Sequence, residues 1–317
     1  MWLPEPGDFL RGFVKVSVCS EEGAMRWEDS GQKGNVEDRR GKSMPLAAGG
    51  GLMGLIIMGI LFYLTGDLGK AKRLADNIAP MVLPKGGAPA GGGAPVNPND
   101  ANLKFAEAVM GFTDEAWEEI FGRMGQRWEK PTLVLFSDRV DSGGCGLAPS
   151  AVGPFYCPPS KKVFLDPTFF DELRDKLKGS SADFSKAYVI AHEVGHHAQN
   201  LLGYNSLLEQ YRKKEGENAG IRLELQADYL AGACWHHVEK KRGILEKGDI
   251  EEAIRTAQAI GDDRLQKNSR GWVNPESFNH GTASQRLKYF MEGFQSGNAS
   301  KRMLDQFFDP SVKPLDL

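Results

Sequence analysis

The run Ser185-Lys186-Ala187-Tyr188-Val189-Ile190-Ala191-His192-Glu193-Val194-Gly195-His196-His197-Ala198-Gln199-Asn200-Leu201-Leu202-Gly203 decides how the chain is read. Apolar residues recur at 187, 190, 191, 194, 198 and 201, the spacing of a helix with one buried face. Asp183 or Ser181 suits the start of that helix and Gly203 its end. His192 and His196 then stand at i and i+4, one above the other on one face. Two imidazoles so placed reach a single metal ion, with Glu193 beside them to act on a water at that metal. A polar helix face with two incidental histidines competes with this reading. It leaves unexplained why three polar residues line up on a helix that is apolar elsewhere.

Working outward, Ile221-Arg222-Leu223-Glu224-Leu225-Gln226-Ala227-Asp228-Tyr229-Leu230-Ala231-Gly232 is a second helical run. Glu224 and Asp228 are again i and i+4. A Glu completes a His2Glu zinc set and leaves the fourth position to water. An Asp one turn later accepts the second N–H of a liganding imidazole and fixes its tautomer. Taken alone, E-x-x-x-D is an exposed acidic face. Downstream of H-E-x-x-H and flanked by Leu223, Leu225, Ala227 and Leu230, it reads as the third ligand, Glu224, with its helper, Asp228.

H-E-x-x-H followed by E-x-x-x-D resembles the gluzincin zinc peptidases. More narrowly, the chain resembles a family of neutral zinc metallopeptidases, bacterial and membrane-anchored. The matching pieces are Arg26-Trp27, Asn35-Val36-Glu37-Asp38-Arg39-Arg40-Gly41, Gly153-Pro154-Phe155-Tyr156-Cys157-Pro158, the two metal motifs, and His280-Gly281-Thr282-Ala283-Ser284-Gln285-Arg286. The resemblance runs from Met25 to about residue 297. It implies a zincin-like domain, Zn2+ as cofactor, and a peptide or protein substrate. Because it begins at Met25, residues 1–24 are expected to be an upstream extension; they also make a poor signal peptide, lacking a long apolar core before a small-residue cleavage site.

The remaining chain gives a layout. A net charge of −3 over 317 residues offers nothing for nucleic acid. Residues 26–42 are polar and charged and read as a solvated segment. No charge occurs from 43 to 66, and the apolar core at 46–66 is long enough to span a bilayer as one transmembrane helix. Gly50 and Gly54 form G-x-x-x-G, a pattern through which such helices self-associate. Arg39, Arg40 and Lys42 precede the run, and Lys70, Lys72 and Arg73 follow it, so the positive-inside rule is nearly tied. The family resemblance implies the N-terminus inside and the large domain outside the cytoplasm, at a bacterial inner membrane. A short helix at 68–82 and a Gly/Pro/Ala linker to residue 99 lead to a domain over 100–317.

That domain is expected to be α+β, mostly helical with a small sheet. A helix over 105–124 points Trp117, Ile120 and Phe121 inward. Leu133-Val134-Leu135-Phe136 and Val163-Phe164-Leu165 read as strands, and the fold implied by the resemblance makes the second an edge for an extended peptide to join. Asp249-Ile250-Glu251-Glu252 reads as a capping box opening a helix to about Gln266, and Thr282-Ala283-Ser284-Gln285 as another.

Other residues carry paired readings. Cys145 and Cys157 form a disulfide if the domain is outside the cytoplasm, and stay free thiols if it is not. Cys234 is a buried small hydrophobe. His197 points about 100° away from His196 on the helix and belongs to no shared metal; His236 and His237 suit packing. His280 precedes a helix start. It serves either as a donor to the oxyanion of peptide hydrolysis, with Arg286 and Tyr229 as the next candidates for that role, or as a loop residue at a cap. The chemistry expected is zinc-assisted peptide hydrolysis with Glu193 as general base. A membrane-anchored scaffold keeping a structural zinc and a hydrolase of non-peptide amides are the alternatives.

Overall fold

The computed structural model describes residues 24–28, 30–41, 97–270, 278 and 280–317. The expected transmembrane run at 46–66, the helix at 68–82, the linker and residues 1–23 lie outside them. Among the described residues, no helix is long and apolar enough to cross a membrane.

In chain order the elements are β1 (Val36–Asp38), α1 (Ala101–Arg123), β2 (Thr132–Leu135), β3 (Arg139–Asp141), β4 (Leu147–Pro149), β5 (Phe155–Cys157), β6 (Lys162–Leu165), α2 (Phe169–Asp175), α3 (Asp183–Leu201), α4 (Tyr204–Glu215), α5 (Gly220–Arg242), α6 (Asp249–Ala259), α7 (Asp262–Arg270), α8 (Ala283–Ser296) and α9 (Lys301–Asp305). This is the expected α+β architecture, mostly helical. A four-stranded sheet has the order β1-β2-β6-β5, and β3 pairs with β4 apart from it. β1, β2 and β6 run parallel; β5 is antiparallel to β6, with Phe155 opposite Phe164 and Cys157 opposite Lys162.

Two sequence expectations about the sheet are corrected. Residues 26–42 are not merely solvated. β1 lies along β2, Trp27 Nε1 donates to Asp183 Oδ2 at 2.8 Å, and Met25 is 2 % exposed within the main core. β1 is held by backbone hydrogen bonds and contributes one apolar side chain, Val36, so no hydrophobic period announces it. β6 is not an edge either, since it pairs on both sides; its central place explains why Val163, Phe164 and Leu165 are all buried. The edges of the sheet are β1 and β5.

The helical layer is set by glycines at close approaches. α3 begins after Ala182 with no side-chain cap, because Asp183 lies inside the first turn and bonds Trp27 and Lys186. Gly203, at φ +85°, turns the chain out of α3 as expected. A Cβ on Gly195 would sit 3.1 Å from the Ala227 carbonyl oxygen, so this glycine is where α3 meets α5. α5 and α8 approach closer still: a Cβ on Gly232 would lie 2.1 Å from the Phe290 oxygen, and one on Gly293 2.0 Å from the Tyr229 oxygen.

The helix expected from 249 to 266 is two helices. Gly248 caps α6 at φ +100° without a side-chain bond, while Asp249 accepts from the Glu246 N–H and closes the preceding turn, so no capping box forms. The break follows at Gly261, where a Cβ would be 2.4 Å from the Ala283 nitrogen. At α8 the capping box is present, with Thr282 and Gln285 bonding reciprocally.

Candidate metal centre

α3 carries His192, Glu193 and His196; α5 carries Glu224 and Asp228; α8 carries Arg286. The Gly195 contact draws the first two helices together, and the Gly232–Gly293 contact draws α8 onto α5. Glu224 thereby faces both imidazoles: its Oε2 is 3.3 Å from His192 Nε2 and its Oε1 3.5 Å from His196 Nε2. One donor atom from each of the three lies within 4.8 Å of the others, and among the described residues no other such cluster occurs. Two imidazoles and a carboxylate are a donor set suited to zinc.

The far side of each imidazole is occupied. His192 Nδ1–H donates to Asp228 Oδ1 at 2.9 Å, and His196 Nδ1–H to Gln199 Oε1 at 2.8 Å. Both bonds leave Nε2 directed to the shared centre. Asp228 is fully buried and also accepts from Tyr188 Oη at 2.5 Å and from Arg286 Nε and Nη2 at 2.8 and 3.0 Å. Gln199 is fixed in turn by donating to Leu223 O and Gln226 Oε1 at 2.7 and 2.9 Å.

Burial pulls the His192 imidazole down, but the charge and hydrogen bond of Asp228 outweigh it and carry it up to about 10. Burial pushes the Glu224 carboxyl up, while the charges of His196, His192 and His280 hold it well below the usual carboxylate range. A metal entering this centre therefore competes with the proton held by His192. Glu193 is 8 % exposed. Among the described residues its side chain makes no hydrogen bond or ion pair.

His280 is brought near the centre, close enough for the Glu224 charge to raise its pKa alongside the larger effect of a hydrogen bond to Asp262. Asp262 grips that loop in three places. Its Oδ1 accepts from His280 Nδ1 at 3.1 Å, and its Oδ2 from the backbone N–H groups of His280 and Gly281 at 2.6 and 3.2 Å. Tyr229, the other aromatic candidate for an oxyanion donor, is not turned to the centre. Its hydroxyl donates to Asn298 O at 2.7 Å and its ring packs on Phe307, because five residues of helix turn it away from Glu224. Arg286 stands behind His192 through Asp228.

His197, as expected, is outside the metal cluster. Its Nε2–H donates to Glu129 O at 2.5 Å, so its Nδ1 accepts from Tyr156 Oη at 2.9 Å. Burial lowers its pKa and keeps it neutral. Asn200 also donates to Tyr156 Oη, so the edge strand β5 is hooked to the motif helix. His236 and His237 bond the carbonyls of Phe294 and Gly297. Cys145 and Cys157 form a disulfide joining the β3–β4 loop to β5, and Cys234 is free and buried.

The comparisons agree with this geometry. The model of the putative neutral zinc metallopeptidase family matches residues 25–304. The chain belongs to that family. The family implies Zn2+, and His192, His196 and Glu224 are the residues able to hold it. Among similar proteins, the uncharacterized protein YpfJ of Escherichia coli K12 is 39% identical over 292 residues, covering 87% of this chain and 97% of that protein. The uncharacterized protein Rv2575 of Mycobacterium tuberculosis H37Rv is 38% identical over 208 residues, covering 63% of this chain and 70% of that protein. No solved structure matches.

Sequence reading had not found Gln199, Asp262, Tyr188 or Tyr156. Gln199 alone carried a signal, three residues beyond His196 on the same helix face.

Proposed function

We propose that the protein is a zinc-dependent peptidase, acting on peptide or protein substrates at a bacterial inner membrane with its domain outside the cytoplasm. The observation that carries the reading is Glu193: a carboxylate 8 % exposed, without a partner among the described residues, next to a three-donor metal set. A structural zinc site fills its fourth position with protein and needs no such carboxylate. When bound, zinc activates a water and polarises the scissile carbonyl.

Glu193 takes the proton from the attacking water and later passes it to the leaving amine. His280, oriented by Asp262 at Nδ1 and raised in pKa by that bond, keeps an N–H at Nε2 to offer the developing oxyanion. Asp228 and Gln199 hold the two imidazoles in the tautomer that leaves Nε2 available. An extended substrate adds to β5, which ends the sheet and is tied to α3 through Tyr156. The disulfide beside it suits an oxidising compartment.

The test is Glu193→Gln in the purified full chain with an unfolded protein as substrate. Zinc content should stay near one per chain while hydrolysis falls roughly 10²–10⁴-fold. Unchanged turnover would remove Glu193 as the base. Wild-type protein that holds zinc but cleaves no unfolded protein or peptide pool would favour a scaffold with a retained zinc site.

A further inference from the structure

The interval 42–96 joins two points that the structure holds together. β1 is in register with β2, Val36 opposite Leu133 and Asp38 opposite Leu135. Just beyond β1, Arg40 Nη2 bonds Asp100 Oδ1 at 2.9 Å, and Asp100 is the N-cap of α1. Upstream, the Gly34 N–H donates to Glu107 O at 2.8 Å, and a Cβ on Gly34 would lie 2.4 Å from Met110 Cβ. The backbone at Gly34 is thus pressed onto α1 in a seat only glycine fits.

Paired strands lie about 4.8 Å apart. The hydrocarbon core of a bilayer is about 30 Å thick. A chain crossing once between residues 41 and 97 would put β1 and β2 on opposite faces. It would do so in every copy, so a second molecule could not supply the strand either.

We infer that residues 25–41 and 97–317 lie on the same side of the membrane. The pairing requires an even number of crossings. Balanced basic flanks, Arg39, Arg40 and Lys42 before the uncharged run at 43–66 and Lys70, Lys72 and Arg73 after it, are what same-side ends produce. The inference does not depend on the zinc site.

The experiment is cysteine accessibility in the full chain expressed in a bacterial host. Glu28→Cys and Lys213→Cys, both exposed positions, are introduced separately into a Cys19→Ser background, with the background chain as blank. Spheroplasts are treated with a membrane-impermeant maleimide before and after permeabilisation. The expected result is the same behaviour at both positions: both labelled in intact spheroplasts, or both only after permeabilisation. One position labelled in intact spheroplasts while the other requires permeabilisation would overturn the inference.

Discussion

Gly293→Ala tests the helix contact that carries Arg286 to Asp228. The new Cβ would stand 2.0 Å from the Tyr229 oxygen and 2.9 Å from the Ala233 nitrogen. Both are backbone atoms of α5, so no side chain can swing aside. Restoring ordinary contact needs α8 to retreat by about 1 Å or more, since carbon contacts settle near 3.5 Å. Arg286 lies on the same helix and bonds Asp228 at 2.8 and 3.0 Å; that retreat would stretch both bonds beyond hydrogen-bonding range. Overpacking costs about 1–3 kcal/mol, and weakening a buried charged hydrogen bond adds about 1.5–3. Helix propensity returns at most about 1. The net destabilisation is about 1.5–5 kcal/mol, a fall in Tm of about 3–20 °C at roughly 2–4 °C per kcal/mol. Gly122→Ala is the control. It is exposed within α1 with nothing inside 4 Å of its Cβ, and should stabilise by roughly 0.5–1 kcal/mol. Thermal melts followed by circular dichroism measure both variants, and competition with a chromophoric chelator measures zinc affinity. A Gly293→Ala protein that melts at or above wild type and binds zinc unchanged would refute the close approach.

Glu224→Ala should lose the metal, as should His192→Ala and His196→Ala, measured as zinc per chain after gel filtration; full zinc in Glu224→Ala would remove that residue from the centre. Wild-type zinc affinity should fall as pH is lowered, because the proton held by His192 competes with the metal, and equilibrium dialysis across pH reads this directly. Asp228→Asn should weaken zinc about 10–100-fold by loosening His192, and unchanged affinity in folded protein would show that Asp228 serves only the core. Burial pushes the Asp114 carboxyl up to about 6 while it accepts from Trp128 Nε1. A carboxyl raised on folding takes up a proton, so its contribution to stability falls as pH rises from about 4 to 6. Asp114→Asn keeps an acceptor for Trp128 and should raise stability at pH 7 by up to about 2–3 kcal/mol while flattening that slope, as urea unfolding at pH 4 and pH 7 would reveal.

The centre was legible where chemistry is local in sequence. His192, Glu193 and His196 share one helix, and Glu224 and Asp228 share another, so period and residue type place them together. Asp262 was hidden because its link to His280 closes over a break at Gly261, and that break is set by Ala283 packing against the glycine rather than by any local signal. Asp249 looked like a cap from its spacing, yet the carboxylate turned to a closer donor, the Glu246 N–H. β1 escaped notice because three backbone-paired residues carry no hydrophobic period. The edge strand was misplaced for a related reason: strand propensity marks β6, but pairing partners distinguish an edge from a centre, and they lie far off in sequence.

The two imidazoles are backed by unlike groups, a charged carboxylate for His192 and a neutral amide for His196. A carboxylate raises the basicity of the imidazole it orients; an amide oxygen does so far less. The grip on the metal is thus uneven. His192 is anchored deep, its side chain 8% exposed and tied through Asp228 to Tyr188 and Arg286. The His196 side chain is 19% exposed and rests on Gln199. Were zinc bound, His196 would be the ligand expected to let go first and His192 the one to hold longest.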